Sequence, residues 1–203
     1  VAHRLKPGHG GVIVNAANAL RRLDRFEEAL GWLDKLGGLD PSKVTLEGNA
    51  TEGVTVDHHG KAEALRGAIA LLAGDKMRAV NHLRRAVELV PTNATFHREL
   101  GQAMLPLLPE AALEYLQRAC DLDPEDAQSH LAIGNAYKEQ GRLQEAHGAY
   151  QRSIELCEAS STAYSNMIYQ ELFRPDVSLQ SVLEQHRQWE YRYGQQAYEL
   201  ATK

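Results

Sequence analysis

Small and large apolar positions recur along this chain at a fixed distance, with polar residues between them. The clearest stretch is residues 127–160, AQSHLAIGNAYKEQGRLQEAHGAYQRSIELCEAS, in which Gly134 and Tyr137 precede a turn at Gly141 and are followed by Ala146 and Tyr150. Residues 94–126 repeat the order with Gly101, Ala112, Leu116, Ala119 and Pro124, one residue short in the turn. Residues 60–93 repeat it with Gly67, Gly74, Ala79, Leu83, Ala86 and Pro91, and residues 10–43 with Ala17, Leu20, Ala29, Leu33 and Pro41. The pattern predicts paired helices. Gly67, Gly101 and Gly134 let the two helices of a unit approach from one side, Ala79, Ala112 and Ala146 from the other, and Tyr137 and Tyr150 fill the remaining volume. Pro91 and Pro124 end the second helix, because proline disfavours a helical residue before it and has no amide to donate.

These residues resemble tetratricopeptide repeats, and the resemblance covers most of the chain. It implies an all-α fold, a solenoid in which antiparallel pairs of helices A and B stack into a right-handed superhelix. Repeats are expected at 10–43, 60–93, 94–126 and 127–160. Pro7 lies 34 residues before Pro41, so residues 1–9 read as the end of a truncated repeat, and the chain as a piece of a longer polypeptide with more repeats on its N-terminal side.

Two segments depart from the period. Pro41 and Pro91 are 50 residues apart, which places an insertion at 44–59. There VTLE and VTVD flank GNATEG, a pattern open to a short hairpin or an irregular loop; the loop is the expectation, since an isolated two-stranded hairpin is marginal in water. Residues 161–173 read as a final helix A with no helix B behind it. Residues 174–203 read as a linker and a long capping helix from Ser178, its N-cap, to about Leu200, with Leu179, Val182, Leu183, His186, Trp189 and Tyr193 as its apolar stripe. Ser165-Asn166-Met167, Pro175-Asp176-Val177-Ser178 and His186-Arg187-Gln188-Trp189 resemble the junction between the repeats and the catalytic domain of bacterial proteins similar to O-linked N-acetylglucosamine transferase and the SPINDLY family. That resemblance implies a substrate-recruiting arm of a larger glycosyltransferase. A stand-alone scaffold that assembles a complex, or a repeat arm of another transferase, is the alternative.

Composition narrows the classes. The 203 residues carry 43% apolar and 24% charged side chains, and no run approaches the ~18 apolar residues of a membrane span. The net charge of −5 gives nucleic acid or an anionic membrane no field to follow. Two cysteines without metal spacing point to a reducing, cytoplasmic compartment. No phosphate loop, nucleophile elbow or paired metal histidines occur, so neither catalysis nor a cofactor is expected of this chain. Asp57, His58 and His59 are adjacent metal-capable residues with no further ligand spaced to help. Cys120 and Cys157 read as small filling residues of two helices B.

A polypeptide partner is what remains, and the family picture gives its place. Residues at the second, fifth, sixth, ninth and twelfth places of each repeat line the concave face. They supply Asn15, Asn18, Arg21, Lys61, Arg98, Gln102, Asn135, Lys138 and Asn166 as the expected peptide-binding set, with Glu99 and Gln128 beside them. An amide offers a donor and an acceptor together, which suits the backbone of an extended peptide. The sugar-transferase relatives carry an asparagine ladder at the sixth place; here Asn15 and Asn166 keep it, while Leu65, Glu99 and Ala132 break it. The fifth and ninth places lack the Lys, Asn, Lys and Arg set of a carboxylate clamp, which excludes a chaperone-tail adaptor.

Overall fold

The computed structural model describes residues 10–37, 55–157, 160–173 and 177–194. Residues 1–9, the stretch 44–54 of the expected insertion, and residues 174–176 and 195–203 of the expected linker and cap therefore lie outside the described residues. Among those described, the regular structure is helical and the all-α tetratricopeptide fold read from the period is the fold found. The chain forms two compact units, Val1–Leu108 and Pro109–Lys203.

The first unit holds α1 (Gly10–Arg22), α2 (Phe26–Gly37), α3 (Val56–Leu72), α4 (Lys76–Leu89) and α5 (Ala94–Met104). Helices α1 and α2 pair, as do α3 and α4, and α3 packs on both helices of the first pair. Ile13, Val14 and Ala17 of α1, Ala29, Leu33 and Leu36 of α2, and Ala62 and Ile69 of α3 share one buried core. Close approach is set where the sequence is small. A Cβ at Gly67 would lie 2.7 Å from Leu83, and one at Gly10 would lie 2.8 Å from the ring of His58.

The insertion is shorter than 44–59. Thr55 caps α3, its hydroxyl accepting from the His58 amide at 3.4 Å while the His58 ring accepts from the Thr55 amide at 3.0 Å. Residues 56–59 are thus the first turn of a helix, and Thr55, Val56 and Asp57 belong to that helix and its cap. The cause is a reciprocal cap with histidine in the place usually held by Glu or Gln.

Three inter-helix turns share one geometry. Asp24, Gly74 and Gly141 have φ of 57°, 80° and 72°, the left-handed region. At each, the next amide reaches back five residues: Arg25 to Leu20, Asp75 to Ala70 and Arg142 to Tyr137, at 3.0, 2.9 and 2.9 Å. This is the Schellman closure of a helix C-terminus. The α5 turn, one residue short, closes instead through Leu107 and Leu108, both donating to the Met104 carbonyl at 2.8 Å.

The second unit holds α6 (Pro109–Leu122), α7 (Ala127–Glu139), α8 (Leu143–Leu156), α9 (Ser161–Glu171) and α10 (Leu179–Trp189). Leu131, Ala146, Tyr150 and Ala163 form a buried cluster flanked by Tyr137, Ile154 and Met167. Tyr150 is fully buried. Tyr137 is only half-buried, with the Arg142 guanidinium 4.4 Å above its ring.

Ser178 caps α10, its hydroxyl accepting from the Ser181 amide at 3.1 Å. Of the helix expected to about Leu200, α10 runs to Trp189 and widens into a π turn over Glu190–Gly194, and the remainder lies outside the described residues. The widened turn carries Tyr193 to 5.9 Å from Tyr164 and 6.0 Å from Trp189, and these rings hold the end of α10 against α9. Val182 of the expected apolar stripe is buried and Trp189 half-buried, donating its indole N–H to the Ser161 carbonyl at 3.4 Å. Leu179 and Leu183 stay exposed.

Candidate functional site

Helix A is the first helix of each pair, and its side chains that face away from helix B provide the candidate surface. In the second unit that surface is organised by one carbonyl oxygen. Tyr150 fills the space left by Gly134, and its phenol, carried through the α7–α8 seam, donates to Asn135 Oδ1 at 2.8 Å. Asn166 of α9 donates its amide to the same oxygen at 3.0 Å. Two expected peptide-binding residues are thereby brought together, and both are half-buried. Asn135 keeps its NH2 group and Asn166 its carbonyl, each without a further hydrogen bond among the described residues. Burial pushes the Tyr150 phenol up to about 12, with the Asn166 amide pulling against it and Glu139 adding to it. The phenol therefore remains a donor at physiological pH. Lys138 is not drawn into this group; it lies 3.6 Å from Glu139.

In the first unit, α1 pairs Asn18 with Arg21, whose guanidinium donates to Asn18 Oδ1 at 3.1 and 3.4 Å. Asn15 is exposed beside them. Lys61 is taken up by Asp57, 2.6 Å away on the same helix. Arg98 and Gln102 sit on α5 with Glu99 between them in sequence. Gln102 and Glu99 line an open cleft of about 220 Å³ with Ala68 and Leu71 of α3, Lys76 and Leu83 of α4, Ala103 of α5, and Pro106. Burial raises the Glu99 carboxyl above the usual carboxylate range, and the charges of Arg98 and Arg21 pull it back. Arg21, Arg98 and Glu99 therefore share one field.

Sequence reading missed two parts of these surfaces. The Tyr150 hydroxyl was hidden behind its role as filler, although a buried phenol ordinarily finds a partner, and that rule points to a polar residue on helix A. The cleft was missed because Ala68 and Leu71, at the ninth and twelfth places, are apolar and carry no binding chemistry of their own.

Other reactive residues have structural duties. Asp57 and His58 serve the Lys61 ion pair and the α3 cap, and burial is the main cause that lowers the pKa of the half-buried His59. Among the described residues, no group of three His, Cys, Asp or Glu side chains is arranged to hold a metal. Both cysteines are free; burial, reinforced by Asp126, Asp121 and Asp123, pushes the Cys120 thiol up to about 11. A thiol so protonated is a poor nucleophile. His97 and His130 occupy equivalent places on α5 and α7, and each donates Nε2–H to the carbonyl of the proline six residues earlier, Pro91 at 2.9 Å and Pro124 at 3.0 Å.

Residues 127–160 match the family model of the tetratricopeptide repeat, and residues 110–141 match a second TPR repeat model. The chain carries tetratricopeptide repeats. Solved tetratricopeptide structures of similar form include MamA, residues 41 to the end, from Desulfovibrio magneticus RS-1, with a TM-score of 0.70 at 18% identity, covering 91% of this chain and 94% of that one. YrrB, described as a TPR protein with an unusual peptide-binding site, gives 0.63 at 22% identity, covering 89% and 84%. O-GlcNAc transferase from Thermobaculum terrenum gives 0.65 at 20% identity, over 69% of this chain and 27% of the transferase. At these identities the likeness is one of fold. No curated protein sequence matches the chain. Tetratricopeptide repeats are modules of protein–protein interaction. Among the described residues no helix is long and apolar enough to cross a membrane.

Proposed function

We propose that this chain is a noncatalytic module that binds an extended polypeptide along the faces of its A helices. The observation that carries the reading is the Tyr150, Asn135 and Asn166 group. One oxygen takes both internal donors, which fixes both amides and leaves an N–H donor on α7 and a carbonyl acceptor on α9. A peptide backbone presents the complementary pair, a carbonyl and an amide, at every residue. Fixing the side chains before the partner arrives reduces the ordering cost of binding. In the first unit Asn15, Asn18, Arg21, Lys61, Arg98 and Gln102 are proposed as polypeptide-binding residues in their own right, and Lys138 is proposed as another in the second. Display of random dodecapeptides on phage tests the reading: recovery of sequence families that bind the purified chain with micromolar affinity supports it, and failure to enrich any peptide contradicts it.

A narrower reading makes the partner a substrate protein and the chain the recruiting arm of a sugar transferase. It is supported by the SNM, PDVS and HRQW segments of the sequence and by the same repeat fold in the Thermobaculum terrenum transferase. A reading frame that continues past Lys203 into a nucleotide-sugar transferase domain supports it; a stop codon there leaves the stand-alone scaffold. A cytoplasmic setting accords with the free cysteines.

A further inference from the structure

The cleft in the first unit carries chemistry that the repeat architecture does not use. Its floor and walls are Ala68, Leu71, Leu83, Ala103 and Pro106, an apolar lining in which Leu71 is 40% exposed. Glu99 and Lys76 line the same cleft with opposite charges, yet they are not paired with each other, and neither makes a hydrogen bond or ion pair among the described residues. Glu99 is a half-buried carboxyl whose lost hydration is offset only by the charges of Arg98 and Arg21, so a ligand that donates to it would compensate further. Lys76 is a donor facing the same space. A ligand that satisfies both brings an N–H to Glu99, a carbonyl to Lys76, and an apolar body between them.

We propose that this cleft is a specificity pocket that takes a leucine-sized apolar side chain of the bound polypeptide, with the backbone N–H of that residue on Glu99 and its carbonyl on Lys76 or Gln102. The inference rests on the peptide-binding reading above and names the residue class it selects. Size agrees: an apolar cavity of about 150 Å³ holds benzene, and the cleft, at about 220 Å³ and open on one side, holds a leucine, methionine or phenylalanine side chain. The charges agree as well, since a lysine or aspartate side chain placed in the cleft would leave Lys76 or Glu99 facing a like charge.

The probe is a single capped residue, which needs the cleft and not the rest of the surface. N-acetyl-leucine methylamide is titrated into methyl-labelled protein, with N-acetyl-serine methylamide as the control. The expected result is a saturable shift of the Ala68, Leu71 and Ala103 methyl signals by the leucine probe, with the serine probe at least about tenfold weaker. Ala68→Leu, which fills the cleft from the half-buried face of α3, removes the shifts while helix content is kept; should it lose helix content, Leu71→Asn takes its place. Equal response to both probes, no response to leucine, or an undiminished response in the blocked variant overturns the proposal. A leucine response without any dodecapeptide binder would sink the peptide-binding reading alone, and dodecapeptides that bind regardless of Ala68→Leu would sink the pocket alone.

Discussion

A Cβ placed on Gly134 would lie 2.4 Å from Cε1 of Tyr150, so the glycine of α7 and the tyrosine of α8 occupy one shared volume. The same packing delivers the phenol to Asn135. Gly134→Ala is expected to destabilise the chain by about 1–3 kcal/mol through overpacking. Tyr150→Phe keeps the volume and removes the hydrogen bond, with a cost of about 1 kcal/mol. Urea unfolding followed by circular dichroism measures both, and an alanine at 134 without cost would show that the seam relaxes freely.

The shared turn geometry separates two residues of different type. Asp24 occupies a left-handed position that glycine fills at Gly74 and Gly141. A left-handed conformation costs a side-chain-bearing residue roughly 1–2 kcal/mol. Asp24→Gly is expected to raise stability by up to about 1 kcal/mol, the gain being trimmed by the greater entropy of unfolded glycine, and Gly141→Ala to lower it by a similar amount. Thermal melts of the two variants should therefore move in opposite directions.

Glu99 sets a pH dependence. Its folded pKa is raised above the unfolded value, chiefly by burial. Through the interval between the two values the native state binds more protons, so stability is fully present below the unfolded pKa and falls as pH rises through the folded one. Glu99→Gln should thus raise the melting temperature at pH 7 and leave it nearly unchanged at pH 4. A variant that melts lower than the parent at pH 7 would mean that the ionised carboxylate is a stabilising partner.

Cys120 and Cys157 should react at different rates. Cys120 is buried with its thiol pushed up to about 11, whereas Cys157 is half-buried. Alkylation by iodoacetamide at pH 8, followed by peptide mass spectrometry, is expected to label Cys157 first and Cys120 only as the chain opens. Faster labelling of Cys120 would place it at an accessible surface.

The α3–α4 and α7–α8 pairs were legible in the sequence because each depends on local size. Gly67 and Gly134 are small where Leu83 and Tyr150 come close, and a regular spacing exposes that requirement. The start of α3 was not legible, since its cap uses Thr55 with His58 in place of the usual carboxylate or amide, and a β-branched run precedes it. The end of α10 was hidden for another reason: a stripe at helical spacing does not distinguish an α turn from the π turn that brings Tyr193 to Tyr164. Among the expected binding residues, Asn135 and Asn166 were singled out by register, but their joining through Tyr150 is a tertiary fact that no spacing within one helix contains.

The central claim is that the amides of α7 and α9 grip a peptide backbone, and isothermal titration of a phage-selected peptide into the parent chain and into Asn166→Ala tests it most directly. That substitution leaves the bond from Tyr150 to Asn135 in place, so folding should be little changed while the carbonyl acceptor is lost. The account predicts unchanged circular dichroism and affinity weakened by about tenfold, corresponding to about 1.4 kcal/mol. Equal affinity of the two proteins for the peptide would contradict it.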